Sequence, residues 1–103
     1  MFFKKILFFL LVLILSSSAL ADTEINLGFE VYKNKAQCGV CHTLQAAGSS
    51  GDIGPNLDQL KPSIGRIIYV VTNGIGVMQA GEDILTHDEI EAVAYYVFNS
   101  TNK

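Results

Sequence analysis

The chain has two cysteines, and both lie in residues 38–42, which read Cys-Gly-Val-Cys-His. Three kinds of site compete for such a segment. A disulfide across two intervening residues would close a very small loop and stabilise the chain little. A thioredoxin-like redox pair needs a βαβ context, which this sequence does not show. A zinc site needs further ligands, and His87 is the only other strong candidate.

A fourth interpretation uses the whole segment. Cys-x-x-Cys-His is the attachment signal for c-type haem, in which two thiols add to the porphyrin vinyl groups and the histidine binds iron. Two intervening residues let one tight turn present both sulfurs to the same edge of the ring, while the next side chain reaches the metal. The sequence therefore predicts one haem c, covalently attached through Cys38 and Cys41, with His42 as an iron ligand.

The N-terminal residues have the pattern of a secretory signal peptide. Lys4 and Lys5 precede an apolar run over residues 6–15, and the small-x-small sequence that signal peptidases recognise ends at Ala21. The apolar run is shorter than the ~20 residues that a membrane-spanning helix needs. We therefore predict that residues 1–21 are a signal peptide, that the mature protein is periplasmic, and that it keeps no stable membrane anchor.

Residues 22–103 are then the whole mature chain, one predicted domain of 82 residues. So small a domain rarely buries enough apolar surface by itself, and a large planar apolar cofactor would supply the missing core. Without Lys4 and Lys5, five of the seven Lys and Arg residues remain against ten acidic residues, a formal charge of −5. This charge disfavours nucleic acid and anionic membranes as partners, and favours a redox protein with a basic docking surface.

A haem iron of this kind has a second axial position, and Met78 is the predicted ligand. It lies in the glycine-rich segment 73–81, whose flexible backbone suits a loop over a haem face. The alternative is that Met78 fills a gap in the core, which is the commonest use of methionine. His87 is the other histidine, but Thr86 and Glu89 flank it as a capping box, which places it in an exposed first helical turn.

Three segments are predicted to be helical, and no segment alternates like a strand, so the fold class is all-α. The first runs from about residue 27 to 37 and leads into the cysteine segment. The second begins at Pro62, a residue suited to a first helical position, and ends near residues 73–74. The third follows Thr86. Apolar residues recur at helical spacing in the second and third segments, which indicates one buried face on each.

The chain resembles the class I cytochromes c of the short bacterial type over residues 27–99. Besides residues 38–42, the segment Gly54-Pro55-Asn56-Leu57 is similar to the family's Gly-Pro-x-Leu segment. The resemblance implies that the carbonyl of Pro55 accepts a hydrogen bond from His42, which would orient the imidazole and raise its basicity. It also implies three main helices wrapped around one covalently attached haem.

The same resemblance extends to the helices and to the loop that contains Met78. Gly28 and Tyr32 match positions where the N-terminal helix crosses the C-terminal helix, and Tyr96 matches the usual aromatic residue of the crossing. One departure is Gln79, because many relatives have proline after the ligand methionine. Without that ring, the loop lacks one source of stiffness.

The function predicted from these features is electron transfer in the periplasm, without enzymatic activity of the chain itself. Iron held by His42 and Met78 would cycle between two oxidation states while keeping both ligands. Two alternatives remain open. One is a haem enzyme or a sensor of gas or peroxide with a labile distal ligand, and the other is an electron-transfer subunit of a larger dehydrogenase.

Overall fold

A computed structural model describes residues 19–103 of the 103-residue chain. Most of the predicted signal peptide, residues 1–18, lies outside the described residues. Residues 19–21, at its predicted end, are helical and continue without a break into the first helix. Within residues 19–103, no helix is long and apolar enough to cross a membrane.

The described chain is mostly helical, as predicted. Helix α1 covers residues 19–30 and continues as a π-helical turn over Val31–Lys35. The later helices are α2, Leu57–Leu60; α3, Ile64–Asn73; and α4, His87–Thr101. Between α1 and α2 lies a small antiparallel hairpin of β1, Thr43–Leu44, and β2, Ser49–Ser50. Short 3₁₀ turns cover Cys38–Val40, Gln45–Ala47 and Gly81–Asp83.

Helices α1 and α4 cross in direct contact at Gly28. A Cβ atom built at this glycine would meet the carbonyl oxygen of Ala92 and would lie 2.5 Å from the Cβ of Tyr96. The ring of Tyr96 packs beside this point, with centroids 5.9 Å from Tyr32 and 5.6 Å from Phe29. Only a residue without a side chain allows the two backbones to approach so closely. The crossing implied for Gly28, Tyr32 and Tyr96 is therefore confirmed.

Helix α4 begins where the sequence predicts, with the complete capping box. The hydroxyl of Thr86 accepts a hydrogen bond from the Glu89 N–H at 3.2 Å, and the Glu89 carboxylate accepts one from the Thr86 N–H at 2.9 Å. The same carboxylate accepts two bonds from the ammonium group of Lys35, at 2.6 and 2.8 Å. The Glu89 carboxylate thus connects the start of α4 to the π-helical turn that follows α1 through hydrogen bonds.

Helix α3 begins two residues later than predicted. Ser63 is its N-cap, with a hydroxyl that accepts a bond from the Arg66 N–H at 3.1 Å, so Ile64 is the first helical residue. The preference of proline for a first helical position suggested Pro62, but a serine hydroxyl that satisfies a free N–H defines the start more strongly. The predicted end holds, because α3 ends at Asn73 before Gly74.

The buried core lies mainly between α4 and the end of α1. Its largest fully buried side chains are Tyr32, Leu44, Val31 and Val93. Helix α3 contributes Ile67 to this cluster, and the hairpin contributes Leu44. The apolar faces predicted for α3 and α4 are thus the faces that point inward.

We expect Gly28→Ala to destabilise the protein by roughly 1–3 kcal/mol, because the new methyl group overlaps the backbone of α4. Gly65→Ala is the matched control: Gly65 also lies in a helix, but a Cβ there meets no atom within 4 Å. This control should stabilise by about 0.5–1 kcal/mol through helix propensity. Urea unfolding of both variants measures the difference, and equal stabilities would contradict the close crossing.

Glu89→Gln is expected to lower stability near neutral pH. The hydrogen bond from Lys35 is the main reason that the pKa of Glu89 lies below its ordinary value. A lowered folded-state pKa stabilises the protein above the ordinary value of about 4.3, and this contribution is lost as the pH falls through the folded-state value. The urea midpoint of the variant should therefore fall below wild type near neutrality and approach it in strong acid. Glu82→Gln, at an exposed position, should leave the urea midpoint at the wild-type value at both pH values.

Candidate haem site

An apolar cleft lies between the segment of residues 38–60 and helices α3 and α4. It contains about 780 Å³ of space, part of it open to solvent. This is far more than the ~30 Å³ that one water molecule takes up in the liquid. Cys38, His42, Pro55 and Met78 all line it. The structure thus brings together four of the five predicted site residues, which are spread over 41 positions of the sequence. The fifth, Cys41, is half-buried in the same turn as Cys38.

The chemistry of the cleft fits a large apolar cofactor with a few polar contacts. Most of its walls come from Leu, Ile, Val and Pro side chains of α2, α3, α4 and the segments next to α2 and α3. Among residues 19–103, Arg66 is the only one with a full formal charge along the lining. Ligand sites of this type combine an apolar wall with a small number of placed polar groups. The walls therefore suit a porphyrin, whose faces are apolar and whose edge has two carboxylates.

The cysteine segment folds as a single tight turn. Gln37 enters it in the left-handed region, with φ of +52°, and residues Cys38–Val40 form a 3₁₀ turn. The N–H groups of Cys41 and His42 both donate to the carbonyl of Cys38, at 3.2 and 3.0 Å. This turn is the arrangement that the spacing predicts, with two thiols and an imidazole presented from one short stretch of backbone.

The two thiols are free in the structure, so the disulfide alternative is not realised. Burial raises the pKa of the Cys38 thiol to about 11, which reflects its apolar surroundings. Within residues 19–103, neither cysteine belongs to a group of three or more metal-ligating side chains, so the zinc alternative lacks its further ligands.

The imidazole of His42 is held from one side by Pro55. Its Nδ1 lies 2.7 Å from the Pro55 carbonyl oxygen, a short hydrogen bond in which the ring nitrogen donates. Gly54 packs against the same ring, and a Cβ there would lie 2.6 Å from the Cε1 atom of His42. The structure thus contains the contact that the resemblance implied for Pro55. Donation from Nδ1 leaves Nε2 as the nitrogen with a free lone pair.

Behind the turn, the hairpin packs against the backbone of the cysteine segment. The Ser49 hydroxyl lies 3.0 Å from the His42 carbonyl oxygen and 2.8 Å from the Tyr32 hydroxyl. Burial is the main cause that raises the pKa of Tyr32 to about 12, and the hydrogen bond to Ser49 opposes the rise. Gly39 is close to Ser49 as well, since a Cβ built on Gly39 would lie 2.7 Å from the Ser49 Cβ.

The Met78 loop is a closed turn despite the lack of proline at position 79. Ile75 and Met78 exchange two backbone hydrogen bonds, at 3.1 and 2.9 Å. Gly74 and Gly76 both have positive φ, +75° and +56°, which glycine adopts without strain. A Cβ on Gly74 would lie 2.6 Å from the Met78 carbonyl oxygen, so the end of α3 packs directly on the turn. The backbone itself restrains Met78 at the cleft.

His87 does not line the cleft. Its side chain is 82% exposed in the first turn of α4, where it lies 3.7 Å from Glu91. Asp88 joins these two side chains in an exposed group. The location predicted from the capping box is therefore correct, and His87 is not part of the site that contains His42.

Fold and site together define a mostly helical, monohaem c-type cytochrome, an electron-transfer protein that binds haem c covalently. The family described as "Cytochrome C oxidase, cbb3-type, subunit III" matches residues 23–97. The chain therefore belongs to this family.

A solved structure is also similar: that of the c-type cytochrome SorU from Sinorhizobium meliloti. The two chains are 48% identical, with a TM-score of 0.75, and the match covers 80% of this chain and 95% of SorU. No curated protein matches the chain. The class I resemblance, the small cytochrome c fold and the covalent haem expected from the sequence are confirmed by these relationships.

Sequence reasoning missed several parts of the site. Helix α2, with Leu57 and Leu60 in the cleft wall, has a recognisable signal, because Asn56 is a typical N-cap and accepts a bond from the Gln59 N–H at 3.3 Å. The role of Ser49 has no local signal, since its partners are 5, 7 and 17 residues away. Arg66 also reaches the cleft only through the fold of α3.

Replacing Gly54 by Ala is expected to displace the imidazole of His42, because the added methyl would overlap the ring. The hydrogen bond to Pro55 would lengthen, and the imidazole, as the predicted iron ligand, would become a weaker donor. We expect a higher midpoint potential and a loss of roughly 1–3 kcal/mol of stability in the holoprotein. Spectroelectrochemical titration measures the potential, and Gly65→Ala serves as the control. An unchanged potential in Gly54→Ala would contradict this reasoning.

Proposed function

We propose that this protein is a periplasmic one-electron carrier in which His42 and Met78 are the two axial ligands of the haem iron. The observation that carries the proposal is that both side chains line one apolar cleft beside Cys38. No other methionine or histidine of residues 19–103 lines the cleft. A closed iron of this type exchanges electrons without exchanging ligands.

The haem supplies the redox chemistry, and the polypeptide sets its environment. Pro55 fixes the orientation of His42 through the 2.7 Å hydrogen bond, so that Nε2 is available for the metal. The Ile, Leu and Val side chains of the walls would give the bound haem apolar surroundings, which raise the cost of a charged centre. Arg66 places a positive charge at the lining and would be available to pair with a porphyrin carboxylate.

The closed turn of residues 75–78 supports the assignment of Met78. Two backbone hydrogen bonds and the contact with Gly74 hold this segment in one conformation. The methionine side chain then loses less freedom on binding than it would from a mobile loop. The turn therefore performs the stiffening that proline provides in relatives with Met-Pro.

Export is the second part of the proposal. The pattern of residues 1–21 favours a cleaved signal peptide, which leaves residues 22–103 as the mature cytochrome domain. In bacteria, haem is attached to a Cys-x-x-Cys-His segment outside the cytoplasm. Covalent haem at Cys38 and Cys41 therefore requires an exported chain, which is consistent with a signal peptide.

Cytochromes c act through redox partners, and the charge of this chain suggests their chemistry. With a mature formal charge of −5, the surface favours a partner that docks through basic residues, and the association weakens as salt rises. A permanent partner, as in a subunit of a larger dehydrogenase, is compatible with the same surface.

The competing function is a haem enzyme or sensor with a labile distal ligand. One observation favours it, because Arg66 lies at the cleft, and a guanidinium there would assist peroxide or gas chemistry. The restrained Met78 turn opposes it, since a labile ligand needs a loop that opens.

The visible spectrum of the holoprotein tests the assignment. Oxidised wild type should show the weak far-red band of sulfur-to-iron charge transfer, and Met78→Ala should abolish it. Val77→Ala is the matched control, because Val77 is adjacent, 88% exposed and absent from the cleft lining. This control should keep the band. A wild type that lacks the band and binds carbon monoxide readily when reduced would place the enzyme or sensor function ahead.

A further inference from the structure

Ser49 lies outside every motif of the sequence, yet its hydroxyl is surrounded by polar groups of the haem-binding segment. The Leu44 N–H donates to it at 3.1 Å, and the His42 carbonyl oxygen lies 3.0 Å away. The Tyr32 hydroxyl completes the set at 2.8 Å. A serine hydroxyl can donate one hydrogen bond and accept two, so this set uses its full capacity.

The directions of these bonds follow from the partners. A backbone N–H only donates and a carbonyl only accepts, so Ser49 accepts from the Leu44 N–H. Of the two carbonyl oxygens that can accept its proton, that of His42 is closer, at 3.0 Å against 3.4 Å for that of Leu44, so we assign the donated bond to His42. The Tyr32 hydroxyl then donates to Ser49, because the single serine proton is already used. The Tyr32 hydroxyl lies 3.5 Å from the His42 carbonyl oxygen, which is too long for a hydrogen bond that could replace the one from Ser49.

The surroundings make these bonds costly to lose. Leu44 is fully buried, and Tyr32 is 1% exposed. A buried polar group that loses its partner costs more than the hydrogen bond itself contributed. The strand that carries Ser49 also packs tightly on the cysteine turn, since a Cβ on Gly39 would lie 2.7 Å from the Ser49 Cβ. Gly51, just after the strand, does the same, because a Cβ on Gly51 would lie 2.5 Å from the Val40 carbonyl oxygen. The hairpin therefore has little freedom to retreat from the turn.

We propose that Ser49, supported by Tyr32, is a positioning residue for His42, fixing its backbone while Pro55 fixes its ring. The inference rests on the proposed role of His42 as an iron ligand. A histidine held only at its ring nitrogen can still tilt about its side-chain bonds when its backbone moves. A histidine held at both ends presents one orientation, and the strength of the bond from Nδ1 to Pro55 depends on both contacts.

Ser49→Ala tests the proposal in the haem-loaded protein. With the His42 carbonyl released, the bond from Nδ1 to Pro55 should weaken, and the imidazole should become a weaker donor to iron. We expect the midpoint potential to rise. The ring N–H of His42, observed by NMR in the reduced protein, should exchange with solvent roughly fivefold faster, as loss of one typical hydrogen bond predicts.

Tyr32→Phe provides a second variant that keeps the serine, and it should move both readouts in the same direction by a smaller amount. In the double variant the two effects should be less than additive, because the tyrosine hydroxyl has no serine to support once Ser49 is gone. Ser50→Ala is the matched control, since Ser50 lies next in the same strand and is exposed. It should leave both readouts at wild-type values.

A purely structural Ser49 would give a different result. Ser49→Ala would then lower the urea midpoint but leave the potential and the His42 exchange rate unchanged, and the proposal would be wrong. If Ser49→Ala fails to incorporate haem, unchanged readouts in Tyr32→Phe overturn the proposal instead. The far-red band of wild type reports Met78 ligation separately, so failure of this inference and failure of the proposed Met78 ligation are distinguishable.

Discussion

The close approach of α1 and α4 at Gly28 is the contact on which the rest of the structure depends. It brings Tyr32, at the end of the first helix, under the last helix, where Tyr96 packs on it. The chain between these helices is then forced into a loop around a cleft rather than a solid core. An ion pair between Lys35 and Glu89 joins the same two parts of the chain at the protein surface. In so small a chain, a large apolar cofactor bound in this cleft would complete the apolar packing.

The features that were predicted well from the sequence are those determined by residues close to one another in the chain. The cysteine turn, the capping box at Thr86 and the end of α3 at Asn73 depend on contacts within a few positions. Family resemblance added the crossing at Gly28 and the bond from His42 to Pro55, neither of which the residues alone would reveal. The start of α3 was misplaced because proline and serine both mark helix starts, and the serine cap decided it.

What the sequence could not provide are contacts between segments that only the fold brings together. Ser49 carries no local pattern, and its importance appears once the hairpin folds back on the cysteine turn. Arg66 lies two residues inside α3 and would pass as a solvated charge without the cleft beside it. The stiffness of the Met78 loop was also hidden, because absence of proline suggested a looser segment than the paired hydrogen bonds produce.

That turn has a consequence for how the methionine is presented. A proline ring restrains a loop through covalent bonds, which heat and solvent do not alter, whereas the Ile75–Met78 turn is restrained by hydrogen bonds that open and close reversibly. The restraint on the Met78 side chain therefore depends on the fraction of time that these hydrogen bonds are formed, and this fraction changes with temperature. With Met78 as the proposed sixth ligand, warming or mild denaturant would open this turn and release the sulfur from iron, while the covalent bonds at Cys38 and Cys41 would keep the haem in place.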